Sequence, residues 1–214
     1  MTLRARVIEA LGTVYDPELD EPITTLGFVG SCAVSEAGDV HLRLRLPTPQ
    51  CAPNFAFLMA ADARAAVRAL PHVRDVTVVL EDHYTGAEID AAVNRGQGFA
   101  EAFPGETAGD LQALRELFQR KALLARQSRL LSAPASTLGE LAGPDADRCR
   151  ALRRALGIDA SDDAPAFVTG DGTPVAPSDV RFRRLASLTA LSLEANGGLC
   201  RDLLKTRYGE EVAA

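Results

Sequence analysis

The segment Val40–Leu46 constrains the fold more than any other stretch, because its side chains alternate strictly between apolar and polar. Alternation with a period of two is typical of a strand that packs one face on a core and exposes the other. A second strand is predicted at Phe28–Val34, and the turn residues around Gly38 favour a hairpin between the two. The sequence therefore predicts an antiparallel pair with one covered face.

A helix is predicted directly after this hairpin. Pro53 suits a first helical turn, and apolar residues then recur at helical spacing from Phe55 to Leu70. A third strand is predicted at Val73–Leu80, and an amphipathic helix over residues 3–14 precedes the first strand. The order helix, strand, strand, helix, strand predicts an α+β fold: a small sandwich followed by a mainly helical C-terminal region.

The chain is predicted to contain two regions. Residues 1–95 form the α+β domain, and residues 96–214 form a mainly helical extension with a short hairpin near 166–175. A long helix is predicted to begin at 107–110. Cys149 falls on an apolar helix face and is predicted to be a core residue.

Composition limits the functions that this chain can have. The sequence contains 29 acidic and 23 basic side chains, and the net charge of -6 opposes the phosphate attraction on which nucleic-acid binding depends. No run of about eighteen apolar residues occurs, and no secretory leader is recognisable. We therefore expect a cytoplasmic protein with no nucleic-acid partner and no membrane partner. The four cysteines are widely spaced, which indicates reduced thiols.

The predicted topology brings three loops together. A helical crossover makes the second and third strands parallel, so both strands end at one edge of the sheet, which is where open sheets commonly bind ligands. The loops at this edge carry Asp16 and Glu18, Thr48 and Cys51, and His83. Each residue also has an ordinary interpretation when it is taken alone: Asp16 as a turn residue, Glu18 as a solvated charge and His83 as an exposed strand end.

Cys51 is the chemically most informative residue of this group. It lies just before a predicted helix, where unpaired N–H groups and the helix dipole favour a thiolate, the form that binds metals and attacks electrophiles. The alternative is that Cys51 is a small buried apolar residue, which is the usual role of a free cysteine.

The motifs of the first half resemble those of the SufT and PaaD-like iron-sulfur assembly domain family. The resemblance rests on Asp16-Pro17-Glu18, on the segment Ile23–Val29, and on Thr48 and Cys51 before the second helix. It covers roughly the first 85 to 95 residues, a span typical of a small domain. Gln50 and Ala52 depart from the family pattern, in which Gly usually precedes this Cys and Pro follows it.

The resemblance implies an accessory or maturation factor for iron-sulfur or other iron enzymes. Cys51 would be the metal ligand, binding an iron-sulfur cluster or iron transiently, at a rim shaped by Asp16, Glu18 and Thr48. Because clusters normally use four protein ligands, further ligands would come from a homodimer, from His83 or from a small thiol. The implied partner is a client metalloenzyme, and a bacterial di-iron monooxygenase is the client that the resemblance suggests.

Two other classes of function are open at this point. In the first, the protein is an enzyme in which Cys51 is the nucleophile and His83 the base. In the second, it is an adaptor or chaperone that binds its client through the C-terminal helices, and Cys51 is incidental.

Overall fold

A computed structural model describes residues 1–106 and 111–209. The chain forms two compact units, of which the first comprises Met1–Leu111 together with Gly197–Ala214 and the second comprises Gln112–Asn196. The predicted helix start at 107–110 lies outside the described residues.

The first unit has the predicted order of elements. They are α1 (Leu3–Leu11), β1 (Val29–Val34), β2 (Asp39–Arg45), α2 (Pro53–Arg68), β3 (Asp75–Glu81), α3 (Gly86–Arg95) and α4 (Phe99–Ala102). The α+β prediction is confirmed. The helix α3 ends at Arg95, and its C-cap residue Gly96 has a φ of 71°, a left-handed conformation that favours glycine.

The sheet has the order β1-β2-β3. β1 pairs antiparallel with β2, and β2 pairs parallel with β3, with Val40 opposite Val76 and Leu44 opposite Leu80. The predicted parallel crossover is thus confirmed. Only one face of β2 is covered, since Val40, Leu42 and Leu44 are each 1% exposed whereas His41 and Arg43 are exposed. The helices α1, α2 and α3 contribute to the same core as these strands.

The second unit is mainly helical. It contains α5 (Gln112–Leu130), a short 3-10 helix (Leu138–Glu140), α6 (Pro144–Ala155) and the part of α7 (Val180–Tyr208) that precedes Gly197. Cys149 is 1% exposed in a core cluster, which confirms its predicted role. The hairpin predicted near 166–175 is a single antiparallel bridge between Val168 and Pro174.

The boundary between the units differs from the predicted one at residue 95. The first unit continues to Leu111, and it also includes the last turns of α7 from Gly197 onward. The sequence prediction assigned those turns to the extension because a C-terminal helix carries no local signal of its tertiary neighbours. None of the helices in the described part of the chain is long and apolar enough to span a bilayer.

Candidate functional site

Three loops of the first unit meet at the edge where β2 and β3 end, and we call them the rim: residues 15–22, 46–52 and 82–85. The Tyr84 N–H donates to the Pro49 carbonyl at 3.1 Å, which joins the loop after β3 to the loop after β2. The loop after α1 contributes Asp16, whose charge acts on the thiol of Cys51. The residues that topology placed at one edge are therefore neighbours in the folded chain.

Asp16 organises the acidic loop of the rim. Its side chain is buried, with the residue 6% exposed, and Oδ1 accepts hydrogen bonds from the N–H groups of Glu18 and Leu19 at 2.8 Å each. Burial raises the pKa of Asp16 from 3.8 to about 6, and the two N–H donors only partly oppose that effect. Asp16 is thus a turn residue, as its ordinary interpretation holds, and also a source of charge inside the rim.

Cys51 lies in the turn that leads into α2. Its N–H donates to the Thr48 carbonyl at 3.3 Å, and Pro53 occupies the first turn of the helix, as predicted. The thiol is half-buried and packs against the core of the first unit. Thr48 therefore contributes to the rim through its backbone, by closing the turn that presents Cys51.

The expectation that the helix start favours the Cys51 thiolate is not met. Burial is the largest cause that raises the pKa of Cys51 from 9.0 to about 12; the charges of Asp16, Cys200 and Glu18 contribute to this rise, whereas a hydrogen bond from the Ala52 N–H opposes it. Desolvation and nearby negative charge raise the pKa of the thiol by more than the start of the helix lowers it, because both act directly on a buried thiol. Cys51 is therefore a neutral thiol at neutral pH in the absence of a cation.

His83 supports the turn at Cys51 through the backbone. Its Nε2 lies 2.8 Å from the Cys51 carbonyl oxygen, and its Nδ1 accepts from the Thr85 N–H at 3.3 Å. An acceptor role for Nδ1 places the proton on Nε2, which donates to Cys51. Both ring nitrogens are therefore engaged. His83 is a positioning residue for the turn. Its ring has no free nitrogen with which to act as a base or as a metal ligand for the Cys51 site.

Cys200 is the residue of the site that the sequence analysis missed. It belongs to the last turns of α7, and it packs against the same core as Cys51. Burial raises the pKa of Cys200 to about 11, and the charges of Asp16 and Glu18 contribute to that shift. No local motif accompanies Cys200, so only the spacing of Gly197, Cys200 and Leu204 on one helix face offered a signal.

The rim offers few groups that can bind a metal together. Within residues 1–106 and 111–209, no three or more His, Cys, Asp or Glu side chains are close enough to share one ion. An open groove of about 590 Å³ lies at the first turn of α2. It is lined in part by Ala52, Asn54, Tyr84, Thr85, Phe99 and Phe103.

The fold and the rim together define a class of protein: a small α+β domain with a half-buried thiol at the edge where two parallel strands end, within the field of Asp16 and Glu18. Residues 4–80 match the family described as iron-sulfur cluster assembly protein. The chain therefore belongs to this family through its N-terminal region, and the resemblance inferred from the motifs is confirmed. The family indicates a role in iron-sulfur cluster assembly, and its match does not extend to the C-terminal helices.

The N-terminal region is also similar to one curated protein. An uncharacterized protein from Methanocaldococcus jannaschii is 32% identical to the chain over 90 residues, which are 42% of this chain and 93% of the relative. No solved structure matches the chain.

Proposed function

We propose that the protein is an accessory factor that holds iron or an iron-sulfur cluster transiently at Cys51 and passes it to a client metalloenzyme. The observation that carries this proposal is the thiol of Cys51, held at the rim within the field of Asp16 and Glu18. The family membership of residues 4–80 supports the same direction.

The electrostatics of the rim suit a cation as cargo. Negative charge that keeps a thiol protonated is relieved when a cation displaces the proton, since the cation interacts favourably with the thiolate and with the carboxylates of Asp16 and Glu18. An anionic substrate would meet repulsion from the same groups. The rim therefore favours a thiophilic cation over an anionic ligand.

The small number of ligands supports transfer rather than storage. Stable iron-sulfur clusters normally have four protein ligands, and the described part of the chain does not gather even three around one ion. Incomplete ligation leaves coordination positions for a small thiol, a second copy of the chain or the client itself. Such a site would release its cargo more readily than a closed one.

The geometry around His83 disfavours the enzyme alternative. A cysteine nucleophile needs a base within hydrogen-bond reach of its sulfur, and His83 instead contacts the carbonyl oxygen of Cys51. With its pKa raised to about 12, Cys51 also lacks the depressed pKa of an activated nucleophile. We therefore infer that the protein acts without catalysis by Cys51.

An adaptor role is the second candidate, and one observation in the second unit favours it. Leu185, Leu188 and Leu191 of α7 are 55%, 66% and 63% exposed. Exposed leucines at helical spacing are typical of a surface that binds another protein.

For both the carrier role and the adaptor role, a bacterial di-iron monooxygenase component is the client that we propose to test first.

A transfer assay tests the carrier proposal. Protein loaded anaerobically with iron and sulfide is mixed with an apo-ferredoxin, and cluster appearance on the acceptor is followed by circular dichroism. Wild-type protein should transfer, and Cys51→Ala should not. Leu188→Ser serves as a control, since it alters the exposed leucine surface and leaves the rim unchanged. If Cys51→Ala transfers at the wild-type rate, the carrier proposal is wrong.

A further inference from the structure

The last turns of α7 are bound to all three loops of the rim. Arg201 Nη1 donates to Glu21 Oε2 at 2.7 Å, in the acidic loop. Arg207 donates through Nη1 to the Leu46 carbonyl at 3.1 Å and through Nη2 to the Asp82 carbonyl at 2.9 Å, at the ends of β2 and β3. Charge-assisted hydrogen bonds of this kind are among the stronger polar contacts in proteins. Two arginines on one helix thus contact every loop that forms the site.

This anchoring determines which side of α7 faces the rim. Gly197 is buried and Leu204 is 1% exposed, and Cys200 lies between them at spacings of three and four residues, on the same helix face. The helix approaches the acidic loop so closely that a Cβ at Gly197 would lie 3.0 Å from Glu21 Oε1. Cys200 is therefore carried on the face that packs against the rim.

Cys200 shares both its packing and its electrostatic surroundings with Cys51. The two cysteines are half-buried and pack against one apolar cluster. Burial is the largest cause that raises the pKa of both thiols; the charges of Asp16 and Glu18 add to the shift in each, and Cys200 adds to the shift of Cys51. Both thiols thus pack against one apolar cluster and face the charges of the same acidic loop.

We propose that Cys200 is the second metal-binding thiol of the rim, and that Cys51 and Cys200 together bind a thiophilic divalent cation such as Fe²⁺ or Zn²⁺. This proposal rests on the proposed function and goes beyond it, because Cys200 lies outside the residues that match the family. Binding forms two metal–sulfur bonds and releases the two thiol protons, with no change of oxidation state.

The proposal accounts for why the final turns of α7 belong to the first unit. The sandwich alone supplies Cys51 and no second thiol at the rim, because its other cysteine, Cys32, lies on β1 and is influenced by Arg4 rather than by the acidic loop. Soft thiolate ligands select soft transition metals, so a second sulfur would raise both affinity and selectivity. The carboxylates of Asp16 and Glu18 would offset the charge of the bound cation.

A titration with Co²⁺ tests the assignment. Full-length protein is titrated anaerobically, and the thiolate-to-cobalt charge-transfer absorption is measured, since its intensity grows with the number of thiolate ligands. Wild-type protein should bind one ion with the intensity of two thiolates. Cys200→Ala and Cys200→Ser should each show about half that intensity and at least about tenfold weaker binding, because one ligand is lost. Cys32→Ala is the matched control and should behave as wild type.

The outcomes separate this inference from the proposed function. If Cys51→Ala abolishes the absorption while both Cys200 variants keep the full wild-type intensity, the second-thiol assignment is wrong and the carrier proposal stands. If Cys51→Ala also keeps full intensity, both fall. Tyrosine fluorescence confirms that each variant is folded, because Tyr15, Tyr84 and Tyr208 all belong to the first unit.

Discussion

Replacing Asp16 with Asn should stabilise the protein in a way that depends on pH. The pKa of Asp16 is raised by burial from 3.8 to about 6 in the folded chain. Between these values the folded state holds a proton that the unfolded state has lost, so the free energy of unfolding falls as pH rises from about 4 to about 6. Above that range the folded protein carries the full cost of a buried charge.

The size of this effect follows from the two pKa values. Each pH unit between them corresponds to about 1.4 kcal/mol, which gives a cost of about 3 kcal/mol at neutral pH. The variant carries no charge at this position, and Asn Oδ1 can accept from the same N–H groups of Glu18 and Leu19. The stability difference between variant and wild type should therefore grow by about 2 to 3 kcal/mol between about pH 4 and about pH 7.5.

Urea unfolding followed by tyrosine fluorescence measures this difference. All three tyrosines lie in the first unit and the chain has no tryptophan, so the signal reports on the unit that contains the rim. Comparison across pH removes any fixed effect of exchanging an acid for an amide. Asp39→Asn is the matched control, since the pKa of Asp39 is lowered by Arg74 and its substitution should lose stability as pH rises. A difference for Asp16→Asn that is flat across pH would refute the reasoning.

Three further outcomes follow from the geometry of the rim. Imidazole ¹⁵N spectra should show His83 with its proton on Nε2; a proton on Nδ1 would contradict its hydrogen bond to the Cys51 carbonyl. Cys51 should react slowly with limiting iodoacetamide at neutral pH and faster in urea, because its pKa is raised to about 12 in the fold; rapid labelling of the native protein would argue against that pKa. Arg207→Ala should cost about 2 kcal/mol and speed amide exchange at the end of α7, since two carbonyl acceptors lose a charged donor. Exchange unchanged from wild type, with Arg184→Ala as the exposed control, would show that Arg207 does not anchor the helix.

The sequence predicted the position of the rim because that position depends on strand order and crossover, which follow from local pattern and a general rule of handedness. It could not predict the ionisation state of Cys51, since the helix start is visible in sequence whereas the burial that outweighs it arises from tertiary packing. His83 was predicted to lie at the correct edge, but its backbone partner depends on the conformation of a turn.

Cys200 illustrates the remaining difficulty. It lies about 150 residues from Cys51 in the chain, and the contacts that bring its helix to the rim run from Arg201 and Arg207 to distant loops. In the sequence, Arg201 and Arg207 look like charged residues on a solvent-exposed helix face, so their contacts with the rim could not be predicted. Long-range pairing of this kind carries no signal in a single sequence, and the predicted boundary at residue 95 differed from the structure for the same reason.

Anaerobic reconstitution with iron and sulfide tests the central claim most directly. Iron bound per chain, measured after removal of unbound metal, should be substantial for wild type and for Cys32→Ala, and lost in Cys51→Ala. The Cys51 substitution alters a turn at the rim and should leave the first unit folded, as tyrosine fluorescence can verify. If folded Cys51→Ala retains as much iron as wild-type protein, Cys51 does not carry the cargo and the account is contradicted.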